Sequence, residues 1–330
     1  MFGDFIGCSS YTIWSGMKKI LVIGGTGFVG RNIHFDTAEF VCYSMDLIKD
    51  NEPNPNYLET FQEDFCSSDA EDIVSRLGPD VLIVLAGMQY QVPIQKRGSR
   101  RESFELNVKI AEQVSKTLSR VKSISLVVYV STDMVYGIIN DYTANEDLAP
   151  KPIGEYGLSK LRAENVLGQH SNKVSILRPR LIAGPGRVGT VELLAKFIKL
   201  KLPIPVIGRG HNRYQMISVY DLWRAIELVV RNNSVGVYNV GSENPPPLNE
   251  LLPNVLKKLG KPNSIFYLPR NVTELALKVL DRFGISPLAP EQFLIASQNC
   301  VLDTTKLQEL GWRSTTKDEE ILIKSLEPLI

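Results

Sequence analysis

Two residues capable of acid–base chemistry stand four positions apart in the segment GEYGLSK, namely Tyr156 and Lys160. On a helix, side chains at positions i and i+4 are neighbours, so the Lys160 ammonium would lie beside the Tyr156 phenol. A phenol has an ordinary pKa of about 10 and is a poor base at neutral pH, but a nearby cation favours its ionised form. The pair therefore indicates proton transfer by Tyr156. An ordinary amphipathic helix can carry the same spacing, so other parts of the chain must support this interpretation.

A glycine-rich segment about 130 residues upstream supplies that support. GGTGFVG follows the apolar run at residues 20–23 and has the spacing G-x-x-G-x-x-G across Gly24, Gly27 and Gly30. Glycines let a backbone turn tightly and approach a pyrophosphate, which then sits at the N-terminus of the following helix. We predict such a helix here and expect it to be brief. A dinucleotide site and a proton carrier in one chain indicate redox chemistry at a carbinol carbon.

Composition permits this chemistry and argues against several other classes. The chain has 330 residues, 44% of them hydrophobic, and a formal net charge of +1, so neither a nucleic-acid partner nor a membrane partner is expected. Four widely spaced cysteines form no CxxC pair, which argues against a zinc site or a disulfide framework and favours the cytoplasm. We predict no metal site. Residues 1–16 lack a basic leader and are interpreted as an N-terminal appendage.

The order of elements predicts an α/β fold with a doubly wound parallel sheet. Short apolar runs alternate with helical patterns through the first half, with strands expected near residues 18–24, 40–43, 61–65, 79–87, 123–132 and 174–177. From Pro179 onward glycine and proline become dense and the regular alternation ends. We therefore predict a dinucleotide-binding domain at residues 17–178. Residues 179–330 would form mainly a smaller substrate-binding lobe, with some segments returning to the first domain.

Six motifs occur together in a recognisable order, namely GGTGFVG, Asp64-Phe65, LAG at residues 85–87, Asn107, STDMVYG and YGLSK. Together they resemble the extended short-chain dehydrogenase/reductase family, in its epimerase/dehydratase branch, from about residue 18 to 315. The resemblance implies that Tyr156 is the general acid/base and that Lys160 lowers its pKa and binds the cofactor ribose. It also implies that Thr132, at a strand end, hydrogen-bonds the substrate oxygen.

The same resemblance implies a set of cofactor contacts. Asp64 would accept a hydrogen bond from the adenine amino group, and Phe65 would flank the ring. The full expected set is Gly24, Gly27, Phe28, Val29, Gly30, Asp46, Asp64, Phe65, Leu85, Ala86, Gly87, Asn107, Tyr156 and Lys160.

The choice between NAD and NADP depends on the end of the second strand. Asp46 follows that strand and could accept hydrogen bonds from the adenosine ribose, which favours NAD over NADP. Ser44 could instead hold this position, with Arg31 near a 2′-phosphate, so NADP stays open at this point.

The chain departs from the family pattern at two positions. STDMVYG is similar to the STDEVYG of sugar-nucleotide 4,6-dehydratases, but Met134 replaces the glutamate, and a thioether cannot take a proton from carbon. Dehydration by that route is therefore not expected, while Asp133 could be a second acid or a loop-capping residue. RPRLIAGPG is similar to a family segment in which an asparagine grips the nucleotide-sugar, and Leu181 stands in that place.

Basic residues gather on the expected substrate side, and guanidinium groups suit phosphate binding. They are Arg178, Arg180, Arg187, Arg209, His211 and Arg213. The segment around Arg213 is similar to one whose arginine contacts a substrate phosphate, although pairing with surface carboxylates is the alternative for several of these side chains. Asp133, Arg180 and Arg213 are the predicted substrate contacts, and Asp221 is expected to cap a helix.

Three functions remain open from the sequence. The first is an NAD-dependent nucleotide-sugar epimerase, expected to be a homodimer, which would work through a transient keto intermediate. The second is a reductase or dehydrogenase of a keto-sugar or 3β-hydroxysteroid-like substrate, using the same three catalytic residues. The third is a noncatalytic regulator built on a dinucleotide-binding scaffold, against which the presence of Thr132, Tyr156 and Lys160 argues.

Overall fold

A computed structural model describes residues 16–49, 54–88, 97–139, 143–187 and 189–330, without the side chains of residues 97–100. The predicted appendage therefore lies outside the described residues, apart from Gly16. The strands are β1 (Lys18–Ile23), β2 (Phe40–Asp46), β3 (Glu59–Gln62), β4 (Val81–Val84), β5 (Leu126–Val130), β6 (Val174–Pro179), β7 (Leu181–Ala183), β8 (Ile204–Ile207), β9 (Met216–Ser218), β10 (Gly236–Val240) and β11 (Ile265–Leu268). The helices are α1 (Ser68–Leu77), α2 (Arg97–Arg120), α3 (Glu155–Leu167), α4 (Thr190–Lys199), α5 (Val219–Asn232), α6 (Leu248–Lys258), α7 (Arg270–Arg282), α8 (Pro290–Ile295), α9 (Thr305–Glu309) and α10 (Asp318–Leu326).

Seven parallel strands form the main sheet in the order β10-β6-β5-β4-β1-β2-β3. The order reverses between β1 and β4, so the chain starts in the middle of the sheet and winds outward in both directions. This confirms the predicted doubly wound α/β fold. Two further pairs of parallel strands, β8 with β11 and β7 with β9, lie outside the main sheet.

Both faces of the sheet are covered, as the continuous apolar strands require. One face packs on α1, α2 and α3 through a core that includes Leu21, Val114 and Leu167. The other face packs mainly on α5, whose residues Leu222 and Ile226 join the same core as the strand residues. A helix from the second half of the chain therefore covers one face of the main sheet.

The predicted helix after the glycine loop is wrong in one respect, because the loop leads only into a 3₁₀ turn at Gly30–Asn32. Side chains from the connection between β2 and β3 satisfy the carbonyls that such a helix would satisfy internally. Asn54 Nδ2 donates to the carbonyls of Gly30, Arg31 and Ile33 at 3.2, 3.1 and 3.4 Å, and the Tyr57 hydroxyl donates to Gly30 O at 2.9 Å. A tertiary contact thus replaces a helical turn.

Other elements agree with the sequence interpretation, with one shift. The third strand is Glu59–Gln62 rather than residues 61–65, so Asp64 lies in the turn after it. β10, as predicted for residues 236–240, returns from the second half to the edge of the main sheet beside β6. Among the residues that the structure describes, no helix is long and apolar enough to cross a membrane.

Candidate functional site

The glycine loop lies at the carboxyl ends of β1 and β4, where open parallel sheets bind ligands. Gly24 has a φ of +88°, and a Cβ there would stand 2.5 Å from Ala86 N, so the two strand ends can meet only with glycine at this position. The amides of Leu85 and Ala86 both donate to Ile23 O, at 2.9 and 2.8 Å. The predicted GGTGFVG and LAG segments are therefore in direct contact.

Asp46 is held against the glycine loop. Its Oδ2 accepts hydrogen bonds from the Thr26 amide at 3.2 Å and from the Thr26 hydroxyl at 2.7 Å. Ser44, the alternative, is fully buried, and a Cβ at Gly25 would collide with its hydroxyl. The side chain of Ser44 thus points beneath the loop, and of the two candidates it is Asp46 that is half-buried at the end of β2. The proposed 2′-phosphate site at Ser44 is excluded by this geometry.

Lys160 is buried and anchored to the sheet. Its Nζ donates to Val130 O at 3.0 Å and lies 4.6 Å from the centroid of the Tyr129 ring. A Cβ at Gly87 would stand 3.0 Å from the same nitrogen, so the end of β4 meets the ammonium. Burial lowers the pKa of Lys160 to about 8, while the Glu164 carboxylate acts in the opposite direction.

Tyr156 is the second residue of α3 and is only partly exposed. Burial raises the pKa of its phenol to about 12, with the Arg187 guanidinium acting to lower it and the Asp133 carboxylate acting to raise it. Arg187 is therefore a cation that favours the ionised phenol, and the same role for Lys160, which the family resemblance implies, stays a prediction. Arg187 also lies 5.4 Å from the Phe28 ring centroid, which connects the substrate side to the glycine loop.

Asn107 ties three parts of the site together. Its side-chain amide accepts from Met88 N at 2.8 Å and donates to Met88 O at 3.1 Å, which fixes the chain just after LAG. The same amide nitrogen donates to Ser159 Oγ at 2.9 Å, and Ser159 donates to Tyr156 O at 2.8 Å. Asn107 on α2 therefore orients the first turn of α3 relative to β4.

Thr132 and Asp133 follow β5 and Arg180 follows β6, so the three residues lie at the carboxyl ends of two neighbouring strands. Thr132 Oγ1 accepts from Met134 N at 3.2 Å and contacts Asp133 Oδ1 at 3.3 Å. Asp133 is neither a free acid nor a simple cap, because its carboxylate forms a buried ion pair with Arg180 Nη1 at 2.9 Å. Two predicted substrate contacts thus bind each other.

A buried charge network supports the strand end that carries Thr132, and the sequence analysis missed it. Ser131 Oγ donates to Glu164 Oε1 at 2.5 Å, and Glu164 accepts two hydrogen bonds from Arg178, at 3.1 and 2.6 Å. Arg178 Nη1 then donates to the Tyr136 hydroxyl at 2.9 Å. Glu164 is one helical turn beyond Lys160, and that spacing was a signal in the sequence.

The two residues predicted to border the adenine, Asp64 and Phe65, differ in their exposure. Asp64 lies in a turn, where its Oδ1 accepts from Cys66 N at 2.9 Å and its Oδ2 is 3.9 Å from Lys109 Nζ. Phe65, in contrast, is 5% exposed and packs in the core beside Ala70. Its ring is covered by protein, so the prediction that the ring flanks the adenine does not fit its position in the core.

Arg213 does not join Asp133 and Arg180. Its Nη1 donates to Pro245 O at 2.7 Å, and it lines a cleft of about 640 Å³ whose lining includes none of the predicted catalytic residues. Side chains alternate along an extended chain, so Tyr214, the next residue, points the other way and stacks on Arg180 at 4.2 Å. Arg213 therefore lies away from the Asp133–Arg180 pair, and its contact with a substrate phosphate stays a prediction.

Asp221 is the centre of a structural cluster, as expected. Its carboxylate accepts from Ser218 Oγ at 3.0 Å at the start of α5 and also from Thr315 Oγ1 at 2.7 Å. No group of three His, Cys, Asp or Glu that could hold a metal ion occurs in the described part of the chain.

Comparison with known proteins identifies a family. The model of the family described as "NAD dependent epimerase/dehydratase family" matches residues 20–241. The uncharacterized protein y4nG of Sinorhizobium fredii is 30% identical over 60% of this chain and 51% of its own length. The chain thus spans about half the length of that relative.

Two further proteins are similar over nearly the whole chain. The N-acetyl-α-D-glucosaminyl-diphospho-ditrans,octacis-undecaprenol 4-epimerase of Escherichia coli O157:H7 is 25% identical over 89% of this chain and 90% of its own. The structure of UDP-glucuronic acid 4-epimerase from Bacillus cereus, in complex with UDP-glucuronic acid and NAD, has a TM-score of 0.75 and 19% identity, and covers 94% of this chain and 99% of that one. At this identity the structural likeness shows the fold.

Proposed function

Because the chain belongs to the NAD dependent epimerase/dehydratase family, we propose that it is an NAD-dependent epimerase of a sugar joined to a nucleoside diphosphate. This proposal depends mainly on the contact of Lys160 and Asn107 with Gly87 at the end of β4. Tyr156 lies in the first turn of α3, the helix that also carries Lys160, and Asn107 binds that turn through Ser159. A cofactor and a proton-transfer residue would come together there. The E. coli relative and the Bacillus cereus neighbour are both named as 4-epimerases of sugar derivatives, which supports epimerisation at a sugar carbon.

The residues present fit NAD. Gly27 in the glycine loop and Gly87 after β4 are both exposed, so a ligand can approach the backbone there. Asp46 has its carboxylate at the position where a ribose hydroxyl is bound in such folds. Asp64 and the backbone of Phe65 would border the adenine, and Lys160 would reach the nicotinamide ribose. NAD supplies a hydride acceptor and donor when it is bound.

Tyr156 performs the proton chemistry in this proposal. Its phenolate would take the proton of a ring hydroxyl and return a proton after the flat keto sugar has turned over, so the reaction has no net redox change. Thr132 would hydrogen-bond the reacting oxygen, while Lys160 and Arg187 would stabilise negative charge on Tyr156. Met134 cannot act as an acid or base, which sets this chain apart from dehydration through that position.

The carrier of the sugar has a second candidate. Leu181 is apolar and half-buried on β7. It stands at the position where the epimerase/dehydratase family has an asparagine that binds the nucleotide-sugar. A lipid diphosphate, which carries the sugar in the name of the E. coli relative's activity, is therefore the alternative carrier. We further propose that the protein is a cytoplasmic homodimer, with its described cysteines Cys42, Cys66 and Cys300 unpaired.

Incubation with NAD and a panel of sugar donors tests the function. The panel contains UDP-glucose, UDP-N-acetylglucosamine and UDP-glucuronic acid, with products separated by chromatography and NADH followed by absorbance. Formation of an epimer without net NADH supports the proposal. Net oxidation or reduction of NAD(P) would favour the reductase alternative, and no product from any donor would reject nucleoside diphosphates as the carrier.

Tyr156→Phe provides the catalytic control. Loss of the acid/base should lower the rate by roughly 100-fold to 10,000-fold, the usual contribution of a positioned acid or base. Tyr238→Phe is the matched control, because the Tyr238 hydroxyl donates to Val235 O at 2.9 Å and takes no part in the site. Equal rates for the two variants would leave the noncatalytic interpretation standing.

A further inference from the structure

Helix α7 (Arg270–Arg282) has two apolar faces. Its inner face carries Leu277, which is buried with Ile207 and Phe293 in a small core. Its outer face carries four large apolar side chains that are mostly exposed, namely Val272 at 67%, Leu275 at 64%, Val279 at 48% and Phe283, just after the helix, at 72%.

The spacing of the exposed residues makes one continuous stripe. Positions 272, 275, 279 and 283 follow the i, i+3, i+7 pattern of a single helical face. Phe266 and Tyr267 on the preceding strand β11 are exposed at 58% and 41%, and Ile285 just after the helix is exposed at 55%, so further exposed apolar residues flank α7 in the sequence on both sides. Scattered exposed apolar residues are normal, but a contiguous patch indicates an interaction surface.

Positive charge accompanies this stripe. Lys278 and Arg282 are exposed on α7 and lie, by helical geometry, along one edge of the apolar stripe. The acidic Glu274 lies further round the helix and is paired with Arg270 at 2.8 Å. Residues 196–209 and 257–285 together contain ten Lys and Arg against two acidic residues. Lys196 and Lys258 pair with acids outside these segments, and an excess of positive charge remains.

We propose that the outer face of α7 is a membrane-docking surface that binds a bilayer containing anionic lipids. An apolar stripe edged by Lys and Arg is the pattern of helices that lie in the interface plane of a bilayer. The cationic side chains would meet lipid phosphates while Leu275, Val279 and Phe283 enter the acyl boundary. A second copy of the chain fits this surface less well, because paired α7 helices would bring the Lys and Arg excess of both copies together.

The location of α7 connects this surface to the site. The inner-face partner Phe293 lies on α8, and Glu291 on the same helix packs against Gly154, where a Cβ would stand 2.5 Å from its carboxyl group. Gly154 precedes α3 and Tyr156. Docking through α7 would therefore fix the distance and orientation of α3, which carries Tyr156, relative to the bilayer. The inference does not depend on which sugar or carrier is used.

Sedimentation with vesicles tests the proposal on the full chain. The wild type should bind vesicles of phosphatidylcholine and phosphatidylglycerol at 3:1 and should bind pure phosphatidylcholine more weakly. The triple variant Leu275→Ser/Val279→Ser/Phe283→Ser should lower the partition coefficient by at least about tenfold, because it removes the apolar anchors. The control Leu148→Ser/Val235→Ser removes two exposed apolar side chains elsewhere and should bind like the wild type.

Two further measurements keep the outcome decisive. If the triple variant loses its thermal transition, Lys278→Glu/Arg282→Glu is used instead and should abolish the preference for anionic vesicles. Analytical ultracentrifugation is run on every variant. Absence of wild-type binding, or equal binding by the variants, overturns the proposal, and so does conversion of a dimer to a monomer with vesicle binding unchanged. The donor panel is assayed on the same samples without vesicles, so a failure of the reaction and a failure of docking are separate results.

Discussion

At the residue scale, the electrostatics of Tyr156 differ from the simple pairing that its spacing to Lys160 predicts. The i, i+4 spacing places both residues on α3, but Lys160 turns to the Val130 carbonyl and Gly87. Arg187, from the loop after β7, is a cation that acts on the Tyr156 phenol. The spacing correctly predicts that the two residues share a helix, whereas the Arg187 charge beside Tyr156 comes from a distant segment that the local pattern does not contain.

Replacing Arg187 by Gln should therefore change the pH dependence of turnover. Burial raises the pKa of Tyr156 to about 12 and Arg187 opposes that rise, so loss of the guanidinium should raise the pKa further. Since the phenolate is the active base, activity is present above this pKa, and the rising limb of the profile should move to higher pH. The measurement is kcat/KM against pH, with Arg209→Gln, an exposed arginine of the same lobe, as control. Superimposable profiles for the two variants would show that Arg187 does not act on the base.

Asp46 should set the choice between NAD and NADP. Its carboxylate is fixed by Thr26 at the mouth of the loop and would repel a 2′-phosphate. Asp46→Ser should weaken binding of NADH and lower the preference for NADH over NADPH by roughly tenfold or more, the scale of one lost charge contact. Fluorescence titration of the two reduced cofactors measures this ratio, and Asp36→Ser, an exposed carboxylate in the loop before β2, is the matched control. An unchanged ratio would remove Asp46 from cofactor selection.

At the scale of elements, the strands were predictable and the first helix was not. Continuous apolar runs marked β4 and β5, because a strand buried on both faces has little alternation. The segment after the glycine loop has no helical period, and its carbonyls are satisfied by Asn54 and Tyr57 from beyond β2. Local sequence patterns do not contain that information.

Asn54→Ala should loosen the glycine loop. The substitution removes one hydrogen bond from each of the carbonyls of Gly30, Arg31 and Ile33. The Tyr57 hydroxyl still donates to Gly30 O and Asn56 Nδ2 still donates to Ile33 O, so the cost is that of the lost hydrogen bonds, about 0.5–1.5 kcal/mol each. We expect a lower melting temperature and weaker NAD binding together, because the same loop would border the cofactor. Asn263→Ala is the control, since it removes a similar amide that bonds the carbonyls of Phe197 and Leu202 in the second half. Its melting temperature can fall, but its NAD affinity should not. Wild-type NAD affinity in Asn54→Ala would contradict the bracing role.

At the scale of the whole molecule, the two predicted parts of the chain share one core. The strand residues Ile20 and Val128 pack with Leu222 and Ile226 of α5 and with Trp312. This arrangement compensates for the missing first helix, because α5 covers the sheet face where that helix is expected. The sequence indicated that segments of residues 179–330 return to the first domain, but not that one face of the sheet depends on them, since coverage of a face is a property of the assembled layers.

A fragment of residues 17–178 should therefore not fold by itself. It lacks β10, which pairs with β6, and α5, so one face of its sheet would expose Ile20, Val22 and Val128 to water. We expect loss of near-ultraviolet circular dichroism and strong binding of a hydrophobic dye, the signs of a chain without fixed packing. The full chain is the reference, and its tryptophan fluorescence and far-ultraviolet signal should change together on denaturation, because Trp223 and Trp312 both lie in this shared core. A cooperative thermal transition in the fragment would show that the dinucleotide-binding domain is independent, and α5 would then be an accessory layer rather than half of its core.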